Sequence, residues 1–228
     1  MVIRIGPPLA PAGKGADGHA LNRNPEIVSI QRWMGTDMAL SVSSQSDGKM
    51  TARRFHSEQI LRINDAVALA EELVSNHYKL SAAQWLRRKY DVRTAVDLAP
   101  AELVDGPFAQ VIRYEGRKAD ADLKSEAFDF YKICLQDHAI LETLDRSPAL
   151  RLSPFSLYII THELIHIVRF TKFLQRFDAT DEERHLEEVR VHDKTHEILE
   201  PVRIPGMAAV FRFYAHWRND FDRLRGPA

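Results

Sequence analysis

Five consecutive residues, His162-Glu163-Leu164-Ile165-His166, carry the clearest chemistry in this chain. Histidines four apart project from one side of an α-helix, so their rings can converge on a single cation. The glutamate beside the first histidine is then placed to work on a metal-bound water. Ten histidines in 228 residues make a chance H-E-x-x-H a roughly 3% event, so the spacing carries weight.

The element that must hold these residues opens at Ser153-Pro154, an N-cap followed by proline at the first helical position. From there to about Phe177 the chain is apolar nearly all round, the pattern of a helix at the centre of a domain. A polar pair on such a helix is costly unless its groups are paired or bound to metal. Thr180-Asp181-Glu182-Glu183 reads as a capping box that starts a second helix, ended by Pro201 after Leu199. The short connection makes the two helices antiparallel neighbours. His185, Glu188, His192 and His196 fall along one stripe of the second helix, and five of the ten histidines lie between residues 162 and 196.

This stretch, Ser153 to Leu199, resembles the zincin metallopeptidases, and among them the gluzincin type, in which a glutamate on the next helix completes H-E-x-x-H. The resemblance implies His162 and His166 as ligands of one zinc ion and Glu163 as general base. Glu187 and Glu188 lie 21 and 22 positions after His166, in the range where such families put the third ligand. Glu188 is preferred because it shares a face with His192 and His196. The implied activity is hydrolysis of a peptide or protein substrate, with Glu163 taking a proton from the attacking water and passing it to the leaving amine. His192, taken as the further catalytic residue, or His196 would bond the oxyanion or orient a ligand. Zincin peptidases also hold the substrate on an edge strand, and the one strand read here, Phe108–Tyr114, is separated from the motif by a predicted helix.

Two other readings stay open. His138 with Glu142, His162 with His166 and His216 with Asp220 resemble the paired ligands of hemerythrin-like di-iron bundles, and Glu163-x-x-His166 with Asp193-x-x-His196 resembles the ferritin-like pattern. Either would bind two irons, although neither pattern fits the helix order fully. In the third, the chain is a structural or interaction domain and the stripe is a solvated helix face. Arg169 is read as an ion-pair partner, His138 as a satisfied core histidine, Cys134 as a small buried hydrophobe and Tyr158 as a packing residue.

Around this centre the sequence predicts a mainly α protein. Residues 1–50, rich in Gly, Pro, Ser and Asn, are expected to be a flexible arm, with short extended pieces around Ile27–Trp33 and Met38–Val42. Residues 51–228 are expected to form a single helical domain whose metal-site core spans 122–228. Ser57 to Asn76 is the first helix, with Ile60, Ile63, Val67, Ala70 and Val74 along one face. A shorter helix follows from Ser81 to Tyr90, then a loop, the Phe108–Tyr114 strand, a helix over Asp122–Arg146 and a last helix after Gly206.

Apolar residues make up 45% and charged residues 28%, as in ordinary globular proteins. The net charge of −1, with basic residues dispersed among acidic ones, argues against a nucleic-acid partner. A single cysteine excludes an intrachain disulfide and a Cys-rich zinc site. No apolar stretch has the length of a membrane span or the form of a signal peptide, so a cytoplasmic location is expected.

Overall fold

Helix α1 (Ser57–Tyr78) buries one stripe of small and β-branched residues, Ile63, Ala66, Val67, Ala70 and Val74, which lets its backbone approach a neighbour closely. That neighbour is helix α3 (Leu152–Thr171), which α1 accompanies along much of its length. The computed structural model describes residues 26–34, 53–81, 84, 89–117 and 127–216. Within them, helices hold most of the regular structure, as the sequence predicts. Alpha-helix α2 (Asp137–Arg146) precedes α3, and α4 (Asp181–Leu199) and α5 (Met207–Phe213) follow it.

The β part is larger than the minor element expected. Strands β1 (Glu26–Met34), β2 (Lys89–Arg93), β3 (Ala109–Arg117) and β4 (Ala127–Leu135) form one four-stranded sheet in the order β1-β3-β4-β2. The β1–β3 and β3–β4 pairs are antiparallel, and β2 runs parallel to β4. The strand expected at Phe108–Tyr114 is β3, and the extended piece around Ile27–Trp33 is β1, an edge strand inside the stretch expected to be a flexible arm. The rest of that arm, including Met38–Val42, lies outside the described residues. Most of the helix expected from Ser81 does too, while its expected last residue, Tyr90, belongs to β2.

The continuous helix expected over Asp122–Arg146 is corrected. Residues 122–126 lie outside the described residues, Ala127–Leu135 is β4, and helix begins only at Asp137. Val111 and Ala109 of β3 stand opposite Ile133 and Leu135 of β4, and all four are buried. This alternating buried apolar face is satisfied only by pairing with a neighbouring strand, and so a strand wins.

The sheet carries α3 on its two central strands, while α1, α4 and α5 surround the rest of that helix. This placement explains why α3 is buried from Leu152 to Phe170 with the single exceptions of Ser153 and Arg169. Buried apolar residues from Phe55 to Tyr214 join in one cluster. On the opposite face of the sheet, Glu102 of a short 3-10 turn accepts hydrogen bonds from Tyr114 Oη and Lys132 Nζ, while its backbone carbonyl accepts from the Gln110 and Gln136 amides. Gly206, at φ 95°, starts α5 where a Cβ would come within 3.2 Å of the Pro154 ring, so the last helix can pack against the start of α3. No helix among the described residues is long and apolar enough to cross a membrane.

Candidate metal centre

Four successive turns of α3 place Tyr158, His162, His166 and Arg169 against α4, and their partners there run in the reverse order. Tyr158 Oη meets His192 Nδ1 at 2.9 Å, His162 and His166 meet Glu188, and Arg169 pairs with Glu187. Antiparallel packing produces this ladder, and the α4 end is fixed by its predicted capping box. Thr180 Oγ1 accepts from Glu183 N at 3.3 Å, and Glu183 Oε2 accepts from Thr180 N at 2.8 Å.

At the centre, each Glu188 oxygen faces one imidazole. His162 Nε2 is 3.1 Å from Oε2, His166 Nε2 is 3.3 Å from Oε1, and the two imidazole nitrogens are 3.0 Å apart. Tetrahedral coordination with ligand bonds of about 2.0–2.1 Å separates ligand atoms by roughly 3.3 Å. The three side chains therefore fit around one divalent ion with little rearrangement. The ligand atoms of His162, Glu188 and His192 also lie within 4.8 Å of one another, so His192 is a further candidate donor. His166 Nε2, in turn, is in direct contact with both His162 Nε2 and a Glu188 oxygen. All four are nearly inaccessible, at 0–1% exposure, and Glu163 is 4% exposed.

The electrostatics follow from this burial. Desolvation, reinforced by neighbouring His192, holds the His162 imidazole down to about 4, which keeps it neutral. Burial acts in the same direction on His166, but the Glu188 carboxylate outweighs it and raises this imidazole to about 9, with a smaller contribution from Glu163. Burial would raise Glu188, yet His166 and His162 hold it well below the usual carboxylate range. Without metal the centre is thus a buried His166–Glu188 ion pair beside a neutral His162. A dication held at His166 Nε2 would have to displace the His166 proton.

The structure separates residues that were equivalent by spacing. Glu188 points to the imidazoles, whereas adjacent Glu187 is held by Arg169, with Nη2 to Oε2 at 3.0 Å, and by Arg190 at 3.4 Å. Arg169 is thereby the ion-pair residue expected. His192 belongs to the cluster, its ring centroid 4.3 Å from that of His162. His196 packs on Phe211 at 4.3 Å, and His185 is exposed. Glu188 and His192 are buried, so the stripe is no solvated face. His138 lies 3.3 Å from Asp105, and Asp220 falls outside the described residues.

Two participants escaped the sequence reading. Gln175, from the α3–α4 connection, reaches His166 Nδ1, and Tyr214 stacks on Tyr158 at 4.1 Å between ring centroids. Tyr158, read as a packing residue, also bonds His192. Its position one turn before His162 was the available signal, while a lone glutamine in a loop gives none. Comparison with models of known protein families, with curated proteins and with solved structures returns no match at a significant level.

Proposed function

We propose that this chain is a zinc-dependent hydrolase of zincin type that cleaves peptide bonds, with His162, His166 and Glu188 as zinc ligands and Glu163 as general base. The observation that carries this reading is the meeting of both imidazoles and the Glu188 carboxylate at 3.0–3.3 Å from two antiparallel helices. When bound, zinc acts as a Lewis acid and lowers the pKa of water in an open coordination position towards ~7. Glu163, one residue from His162 and shielded from solvent, takes the proton of the attacking water and delivers it to the leaving amine. His192 is set behind this centre by Tyr158. With its Nδ1 accepting from the Tyr158 hydroxyl, its Nε2–H donates to the oxygen on which charge develops.

The test begins with metal analysis of purified protein, for which one equivalent of zinc is expected and two of iron would favour the di-iron alternative. Glu163→Gln should then retain zinc and lose at least 100-fold in peptide hydrolysis. Unchanged turnover would remove the catalytic assignment while leaving the metal centre intact.

A second reading, a closed structural metal site, is supported by the position of His192 and by the near-complete burial of every donor. Four protein ligands would leave no position for water. Cobalt-substituted protein separates the two: added acetohydroxamate shifts the visible spectrum of an open site and leaves a closed one unchanged.

A further inference from the structure

His162 and His166 are held differently at their outer nitrogens. His162 Nδ1 is buried with no hydrogen-bond partner among the described residues. His166 Nδ1 lies 3.2 Å from Gln175 Oε1 and 3.0 Å from Gln175 Nε2. An imidazole that gives its Nε2 lone pair to a metal carries its proton on Nδ1, which must then donate. In that state the amide oxygen of Gln175 is the acceptor, and it fixes both tautomer and ring plane.

The connection that delivers Gln175 is built for the purpose. Leu174 N donates to Arg169 O at 2.9 Å and Phe173 N to Phe170 O at 3.0 Å, the paired bonds of a Schellman turn closing α3. Phe173 sits in its left-handed position, at φ 55°, where glycine is usual. Phe173 and Leu174 are 94% and 55% exposed, yet Gln175 is only 9% exposed. Farther along, Phe177 stacks on Phe170 at 3.7 Å and on Tyr131 at 6.4 Å, pinning the far side of the loop to the core. A polar side chain is thus drawn inward from an otherwise exposed turn, and its hydrogen-bond partner there is a proposed ligand.

We infer that Gln175 is the positioning residue for His166, holding its ring by an Nδ1–H···Oε1 bond with Nε2 directed at the metal. The inference rests on the zinc reading above. Loss of such an outer bond typically weakens metal affinity by 10–100-fold.

The experiment measures zinc affinity by competition with a chromophoric chelator, together with circular dichroism of the metal-free proteins. Gln175→Leu should bind zinc at least tenfold more weakly than the wild type with its helical signal intact. Gln175→Glu, which keeps an acceptor at the same reach, should restore wild-type affinity or exceed it. Equal zinc affinity in the leucine variant overturns the inference, as does a glutamate variant as weak as leucine. Should Gln175→Leu fail to fold, Gln175→Glu decides alone: wild-type affinity or tighter supports the role, and a tenfold loss refutes it. A wild-type protein that takes up no zinc refutes the zinc reading itself, a result distinct from any of these.

Discussion

Glu188 and Glu187 are neighbours in sequence with opposite fates, and the difference is one of partners. Glu188 is sealed against two imidazoles, whereas Glu187 meets arginines, of which Arg190 is exposed. Removing one member of a buried ion pair strands the other charge, at a cost of about 3–5 kcal/mol. Glu188→Ala should therefore abolish zinc binding and lower the stability of the metal-free protein by roughly that amount. Glu187→Ala should keep zinc and cost less than Glu188→Ala, because the exposed Arg190 regains water and only Arg169, at 18% side-chain exposure, loses a buried partner. Metal content and urea unfolding of the two variants check both parts, and zinc retained by Glu188→Ala would displace it from the ligand set. The gluzincin resemblance pointed to these two residues for the proposed third ligand, with His192 and His196 as the other residues that could complete the site. Choosing between them rested on a shared face, and the packing of α3 on α4 is what separates them.

Among elements, α3 and α4 were legible because their signals are local: a capping box, a proline stop and an apolar helix with two polar residues. β4 was not. Ala127, Phe130 and Cys134 happen to sit at helical spacing, so strand and following helix merged into one apparent stripe. Only pairing with β3, the preceding strand, decides the matter. The turn after α3 was illegible for another reason, since a phenylalanine in a left-handed cap breaks the usual glycine rule. Its backbone conformation costs about 1–2 kcal/mol, and its exposed ring recovers little by burial. Replacement by glycine relieves that strain but frees the unfolded chain by roughly 0.4–1 kcal/mol. Phe173→Gly should thus leave stability unchanged or raise it by up to about 1 kcal/mol, with zinc affinity unaltered. A loss above ~1 kcal/mol in thermal or urea unfolding would show that the ring makes contacts the fold relies on.

At the scale of the molecule, the proposed zinc ties the central helix to the outer one, so loading and folding are coupled. Free zinc at a thousandfold excess over its dissociation constant adds about 4 kcal/mol. Chelation should accordingly lower the unfolding temperature, and the size of the drop should depend on pH. In the metal-free protein, Glu188 raises His166 from 6.5 to about 9. The stabilisation of this protonated form is fully present below pH 6.5 and lost as pH rises through about 9. Zinc must displace that proton, so its stabilising increment should grow across the same window. Calorimetric scans with and without zinc at pH 6.5, 7.5 and 8.5 measure it, and an increment that shrinks with pH would contradict the ion-pair description.

The depth of the centre has a kinetic meaning as well. With imidazoles and carboxylate at 0–1% exposure, diffusion to the surface alone would not bring an ion to the proposed centre. Its exchange would wait on transient parting of the layers, so that arrival and departure would be timed by the breathing of the fold. A vault of this kind would favour keeping its ion over exchanging it quickly.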